Sequence, residues 1–354
     1  MTADTFRSTF RPGAVPEEWG PFAGQPLCVV QLDDGPDIEP LTRFLPCVVA
    51  GVASGTIAGI HAPDIDLLVT DDQEAGPPWI TSGDIPSTLD ALGTACRASP
   101  LASIALAQLL RFNSRLGVPD ALVAESFVYS MLQAGPEHRA WLAGRPPRNG
   151  PRTAPRGAMA SREPDAVSAT RDGDVLSICL DRPRVHNAYN TAMRDGLSAA
   201  LQVADADPSV RHVGIAGVGP SFCSGGDLGE FGTAPDPVTA HAVRVSRGAA
   251  IWMERCSSRT SVHVHGACIG AGVELAAFAG SVVADPATFF RLPEVAMGLI
   301  PGAGGTVSLP RRIGRQRTAY LAISGNVLET STAAEWGLVD RIAPREPGQS
   351  PDPV

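Results

Sequence analysis

The sequence predicts an α/β fold, and three observations carry that reading. Short apolar or alternating runs recur in the second half: Val175-Leu-Ser-Ile-Cys-Leu180, His212-Val-Gly-Ile-Ala-Gly217, Ser261-Val-His-Val-His265 and Ser281-Val-Val-Ala284. Helix-period segments fall between them; Met193, Leu197, Leu201 and Ala204, spaced four, four and three apart, make one buried stripe. Apolar residues are 44% of the chain and charged residues 18%, which supplies a core and excludes a wholly disordered chain. Strands alternating with helices along one chain are the pattern of layered α/β domains.

Taken in order, Cys28-Val-Val-Gln-Leu32, Cys47-Val-Val-Ala-Gly-Val52 and Ile65-Asp-Leu-Leu-Val69 are strand candidates. Two helices follow. The first has Ser99 at its N-cap and Pro100 at its first position and runs to about Phe112; the second starts at Pro119 and Asp120 and runs to about Ala134. After Gly135-Pro136 a short helix holds Arg139, Trp141 and Leu142. From Gly144 to Pro164 the chain has five Arg and five Pro and no apolar period, which reads as an exposed linker. A sharper alternative puts Arg145 or Arg148 on an anionic ligand. The domain reading is an N-terminal region over 1–145, an Arg/Pro-rich linker over 146–165, a core over 166–345 and a disordered tail over 346–354.

In the core, strand 175–180 passes through the turn Asp181-Arg-Pro183 to Asn187-Ala-Tyr189 and the striped helix. Strand 212–217 runs into the loop Phe222-Cys-Ser-Gly-Gly-Asp-Leu228. Past Pro235 and Pro237 a helix is expected near 238–256. Strand 261–265 opens into Gly266-Ala-Cys-Ile-Gly-Ala-Gly-Val-Glu-Leu-Ala276, and strand 281–284 into Phe289-Phe-Arg-Leu-Pro-Glu294 and Gly302-Ala-Gly-Gly-Thr306.

A length of 354 residues fits one large domain or two modest ones. The net charge of −9 lacks the basic footprint of a nucleic-acid binder, so no nucleic-acid partner is expected. The seven Cys are scattered, odd in number and never in C-x-x-C. That argues against a disulfide framework or zinc knuckle and for a reducing compartment, hence a cytoplasmic location. No run of 18 apolar residues exists, and Met1 to Pro12 has no apolar leader segment; neither a membrane span nor a signal peptide is expected.

Two Gly-rich stretches, Ser224-Gly-Gly-Asp227 and Gly270-Ala-Gly-Val-Glu274, follow strands and open into helix-like runs. Such turns aim backbone N–H groups at one spot and stabilise an anion or a developing oxyanion; close packing alone is the competing explanation. Glu274 stands in an otherwise apolar run, where an unpaired carboxylate is costly or acquires a raised pKa. Glu294 follows Pro293 and precedes an apolar stretch to Pro301. Read blandly, these are a surface position on an amphipathic helix and a helix N-terminal acid. Together with two amide-rich loops they make a consistent set for moving a proton next to a carbonyl. His263 and His265 share a strand face without a third ligand, so no metal site is expected. Cys223 and Cys268 flank the Gly loops with no activating base and read as packing residues. Gly270-Ala-Gly272 lacks the rest of a dinucleotide fingerprint.

Phe222-Cys-Ser-Gly-Gly-Asp227, Gly270-Ala-Gly-Val-Glu274 and Pro293-Glu-Val-Ala-Met-Gly-Leu-Ile-Pro-Gly-Ala-Gly-Gly-Thr306 resemble, in order and spacing, three signature segments of the crotonase (enoyl-CoA hydratase/isomerase) superfamily. Arg182-Pro183, Asn187-Ala188 and Trp336-Gly-Leu-Val-Asp340 are similar to further marks of that family, and the resemblance covers about 170 to 345. It implies a spiral of ββα turns that binds coenzyme A thioesters, with coenzyme A as substrate carrier, no cofactor, and assembly as a homotrimer or hexamer. Carried over by position, the oxyanion amides fall at Ser224 and Ala271. Glu274 matches the carboxylate that helps activate water, and Glu294 the one that exchanges a proton with the α-carbon. Asn187, Ala188, Ser224, Gly225, Gly226, Asp227, Gly270 and Ala271 form the implied substrate-binding set.

Both glutamates are present, which favours hydration of a 2-enoyl-CoA to a 3-hydroxyacyl-CoA. A double-bond isomerase and a non-catalytic acyl-CoA-binding subunit are the alternatives. Three departures from the family pattern bear on the site: Ala271 where Gly is usual, a hydroxyl at Ser224, and Arg291, whose charge is expected to lower the pKa of Glu294. The family's usual C-terminal helices are not found after Asp340, whereas residues 87–145 resemble them in order. The expectation is a degenerate crotonase remnant over 1–145 whose helices cap the core from the front of the chain.

Overall fold

The computed structural model describes residues 1–2, 5–6, 9–10, 18–32, 45–60, 62–145 and 166–344; the expected linker and tail lie outside the described residues. The first half opens with a parallel sheet, β1 (Leu27–Gln31), β2 (Val48–Ala53), β3 (Leu67–Thr70) and β4 (Ile80–Thr81), ordered as in the sequence. Four helices follow: α1 (Ile85–Ala98), α2 (Pro100–Asn113), α3 (Val118–Gln133) and α4 (Pro136–Ala143). β2 and β3 are buried along their whole length, as their unbroken apolar runs require of strands covered on both faces. One face of this sheet is covered by Phe6, Phe10, Leu32 and Trp79. On the other, Val48, Ala50, Leu67 and Val69 share an apolar cluster with α1 and α2 and with the second half of the chain.

The second half winds through two sheets. β5 (Val167–Asp172) and β6 (Val175–Leu180) form a hairpin, and the chain returns through α5 (Thr191–Ala206) to β7 (His212–Gly217). After α6 (Pro237–Arg247) and α7 (Ala250–Cys256) come β8 (Thr260–Val264), β9 (Ala267–Ile269) and α8 (Ala271–Ala276). The same succession repeats as β10 (Ser281–Ala284), β11 (Phe289–Arg291) and α9 (Gly305–Ile313), followed by α10 (Arg315–Ser324), β12 (Leu328–Glu329), α11 (Thr330–Glu335) and β13 (Arg341–Ile342). The first strand of each ββα turn enters a six-stranded sheet ordered β13-β10-β8-β7-β6-β5, and the second enters a small sheet ordered β12-β11-β9. This is the predicted α/β class and spiral. In β6, Leu176, Ile178 and Leu180 are buried and their neighbours only half so, as the alternation requires. The stripe Met193, Leu197, Leu201 and Ala204 of α5 is likewise buried.

The structure refines the local expectations in three places. The helix expected over 238–256 is two helices, because Gly248 is extended (φ −64°, ψ 139°) and a Cβ there would sit 2.6 Å from the Arg244 carbonyl. Ser99 is the N-cap of α2 and Pro100 its first residue, as expected, but the capping acceptor is Glu137 of α4, which accepts from the N–H groups of Leu101 and Ala102 at 2.7 and 3.0 Å. The helices α1, α9 and α10 and the strand β5 were not delimited by the sequence pattern.

Polar contacts fasten the two halves together. Asp66 is fully buried; it is ion-paired with Arg111 of α2 and with Arg315 of α10 (3.1 Å), and accepts from Val49 N at 2.9 Å. Arg317 of α10 donates to the Trp79 carbonyl at 3.0 Å.

Candidate active site

The two Gly-rich loops lie against each other. The backbones at Cys223 and Cys268, both free thiols, pair in an isolated parallel β-bridge, and a Cβ on Gly225 would stand 3.2 Å from the Ile269 carbonyl. Gly270 has φ 49°, and a Cβ on it would collide with Glu294 Oε1, so this position admits only glycine. The positive φ falls on Gly270 and not on its neighbour, which is why Ala271 tolerates a side chain.

The oxyanion assignment needs one correction. Ser224 N donates to the His186 carbonyl at 3.0 Å, so that amide is engaged within the fold, and its hydroxyl turns to the Val185 carbonyl at 3.4 Å. On either side of Gly226 the chain is held by the backbone of Tyr189, whose N–H donates to the Gly225 carbonyl (2.8 Å) and whose carbonyl accepts from Asp227 N (2.9 Å). Among the described residues the N–H groups of Gly226 and Ala271 have no protein acceptor, and both residues line one cavity of about 210 Å³. Gly226 replaces Ser224 as the loop's available donor.

Glu274 and Glu294 line that same cavity. Glu274, on α8, is 2% exposed; its Oε2 accepts from Ala303 N at 2.7 Å and Gly305 N at 2.9 Å. Burial, then the nearby charges of Glu294 and Glu125, hold its carboxyl well above the ordinary range. Glu294 leaves the end of β11 and is 8% exposed; its Oε2 is buried without a partner among the described residues. Burial pushes it up to about 8. Arg291 lowers it, as expected, but burial outweighs that charge: its guanidinium lies exposed and donates to the Gly325 carbonyl at 2.7 Å.

The other expected residues divide. Asp227 lines the cavity, with Arg182 on its Oδ2 at 3.1 Å and Gly229 N on its Oδ1 at 2.8 Å. Ser224, Gly225, Gly270, Asn187 and Ala188 stand outside the lining. Asn187 is corrected from a ligand to a brace. It is fully buried at φ 53°; its Oδ1 accepts from Arg182 N (2.7 Å), and its Nδ2 donates to the carbonyls of Val218 and Ser221 (2.9 Å each). That ties the 182–188 turn to the entrance of the first Gly loop. Ala188 offers its carbonyl to Arg182. Burial raises the Cys223 thiol to about 12 and Cys268 well above its usual value, so neither is a nucleophile. His265 Nε2 lies 2.8 Å from the Gly219 carbonyl, and no three His, Cys, Asp or Glu side chains group as metal ligands among the described residues.

The side chains that roof the cavity were not singled out in the sequence. Tyr129 and Gln133 of α3 complete the cavity beside Tyr189 and Phe231, and the Tyr129 ring lies against Gly302 so closely that no side chain fits there. Arg244 of α6 stacks on that ring, 4.5 Å from its centroid, and donates to Ser126 Oγ and Gln133 Oε1 at 3.2 and 3.1 Å. A second cavity of about 240 Å³ continues past Tyr189, Arg194 and Ala303 into apolar walls of Leu122, Val123, Val245 and Ile251. His138 of α4 contacts the Met297 carbonyl at 2.9 Å and stacks on Trp141, whose ring meets Phe231 edge-on. Helices α3 and α4 of the first half thus lie over the cavity and its edge.

Residues 170–349 match the sequence model of the enoyl-CoA hydratase/isomerase family. A mevalonyl-coenzyme A hydratase of Beauveria bassiana is 33% identical over 196 residues, 52% of this chain and 70% of that protein. A 2,3-dehydroadipyl-CoA hydratase of Escherichia coli is 32% identical over 179 residues, 50% of this chain and 69% of that protein. A solved enoyl-CoA hydratase/isomerase from Mycobacterium paratuberculosis is 28% identical with a TM-score of 0.48, covering 51% of this chain and 74% of that one. No helix among the described residues is long and apolar enough to cross a membrane.

Proposed function

The chain belongs to the enoyl-CoA hydratase/isomerase family, and from that membership we propose that it hydrates a 2-enoyl-CoA thioester to the 3-hydroxyacyl-CoA. One observation carries the reading: two buried glutamates from separate elements line one cavity that also presents two unengaged backbone amides. The N–H groups of Gly226 and Ala271 hold the thioester oxygen and stabilise the negative charge that develops there. A water between the carboxylates adds to the β-carbon and gives its proton to Glu274. Glu294, buried with one oxygen unpartnered, carries the proton and delivers it to the α-carbon, while the two amides on Glu274 favour the ionised form of that carboxyl. The pair ends with one proton between it, as it began, and transfer from Glu274 to Glu294 resets the site. The acyl chain runs into the second cavity, where the side formed by Leu122, Val123, Val245 and Ile251 suits a short hydrocarbon and Glu125, Ser126, Arg194 and Arg244 supply the polar part of the wall.

The isomerase reading draws on the contrast between the two acids. Glu274 is bound by two amides, whereas Glu294 keeps a free oxygen and could shuttle one proton alone. Glu274→Gln separates the two. Under the hydratase reading it lowers hydration of a trans-2-enoyl-CoA by roughly 10²- to 10⁴-fold. Retained turnover of a 3-enoyl-CoA to its 2-enoyl isomer, with no hydration by the wild type, would replace hydratase by isomerase.

A further inference from the structure

Helix α3 brings a third carboxylate to the turn that opens α9, and the reaction described above does not use it. Glu125 is 3% exposed. Its Oε1 accepts from Gly304 N at 2.8 Å, and its Oε2 from Thr306 N at 2.9 Å and Thr306 Oγ1 at 2.7 Å. Glu274 takes the alternate amides, Ala303 and Gly305. Four successive N–H groups are thus divided between two carboxylates, one from each half of the chain. The segment reads Gly302-Ala-Gly-Gly305, with little side-chain bulk to stiffen it, so its conformation depends on what its amides bind. Each peptide unit is planar, so pinning the amides of 304 and 306 leaves only φ and ψ of the intervening residues and narrows the directions open to the amides at 303 and 305.

We propose that Glu125 is a positioning residue for the proton chemistry: by pinning Gly304 and Thr306 it aims the Ala303 and Gly305 amides at Glu274 and sets where that carboxylate stands opposite Glu294. This rests on the acyl-CoA reading of the site. Glu125 also acts through its charge. Burial pushes it up to about 7, against the hydrogen bonds from Thr306 and Gly304 and the charge of Arg244 on α6. Its negative charge in turn raises both Glu274 on α8 and Glu294, and it raises Tyr129, one turn along α3. Arg291 is the cation that lowers Glu294.

The test is the pH profile of the full chain with Glu125→Gln, which keeps the shape and removes the charge. With a trans-2-enoyl-CoA, kcat is expected to fall roughly tenfold to hundredfold, the scale of a misplaced catalytic group. The alkaline limb, set by loss of the Glu294 proton, moves to lower pH once a neighbouring negative charge is gone. A limb that stays at the wild-type pH overturns the proposal, whatever happens to Tm, because a merely structural glutamate would alter stability alone. If the wild type turns over no enoyl thioester, the functional reading fails and acetoacetyl-CoA decides the inference. In that case the pH at which the bound probe becomes the enolate shifts in Glu125→Gln if the proposal holds and matches wild type if it does not. Should Glu125→Gln not fold, Glu125→Asp keeps the charge and shortens the reach: a lowered kcat with an unmoved limb supports the proposal, and a wild-type kcat overturns it.

Discussion

Glu294 binds a proton in the folded chain at pH values where an exposed carboxyl has lost it, because its carboxyl is buried and one oxygen has no partner. Two consequences follow from that one group. In the proposed reaction its proton goes to the α-carbon, so kcat/KM is expected to decline as pH rises through about 8. Stability carries the same sign. The folded pKa lies above the ordinary value of 4.5, so the stability linked to this proton is complete below that pH and is lost as pH rises through about 8. Glu294→Gln cannot ionise. Its Tm relative to wild type is therefore expected to climb as melts are repeated from about pH 5 to about pH 9, while turnover drops about a thousandfold. A flat difference across that range would mean that Glu294 titrates like a surface acid. Both acids were legible in the sequence because each interrupts an apolar run. The open amide of the first Gly loop was not. In four small residues from Ser224 to Asp227, which amide stays open is decided by His186 and Tyr189 on another loop, and no local pattern encodes that.

At the scale of the element, the turn at 182–188 and the first Gly loop behave as one unit held by Asn187. Its side chain uses an acceptor and two donors inside the protein, and its backbone is left-handed. Asn187→Ala removes all three contacts and puts a methyl group at an unfavourable φ. The expected cost is about 2–4 kcal/mol, read by urea unfolding, with loss of turnover because the Ser221 carbonyl anchors the loop that carries Gly226. Full activity in a destabilised Asn187→Ala would detach the brace from the site. The strands and α5 were readable from periodicity, since half-buried elements imprint their burial on the sequence. The break at Gly248 was not, nor was the role of Glu137 as capping acceptor of α2, which joins residues 36 positions apart.

On the whole-molecule scale, the two halves share an apolar cluster and fully bury Asp66 between them, paired to one arginine from each half. Asp66→Asn leaves Arg111 and Arg315 buried without their counter-charge, and about 3–5 kcal/mol of stability is expected to go with it. A single cooperative unfolding transition that moves as a whole would mark the halves as one folding unit; loss of the first half alone would mark them as separable. That α3 lies over the cavity follows from contacts between residues far apart in the chain. Glu125 and Tyr129 could not be singled out, because the contact that gives Glu125 its role spans 179 residues. The central claim, that two carboxylates converge on a thioester beneath this roof, is tested most directly by the initial rate of loss of conjugated-thioester absorbance. The full chain and its Glu274→Gln and Glu294→Gln variants would be compared on trans-2-enoyl-CoA substrates from short to aromatic. The account predicts turnover of at least one substrate by the wild type and a loss of roughly a hundredfold or more in each variant. Equal rates in all three proteins, or none in any, would contradict it.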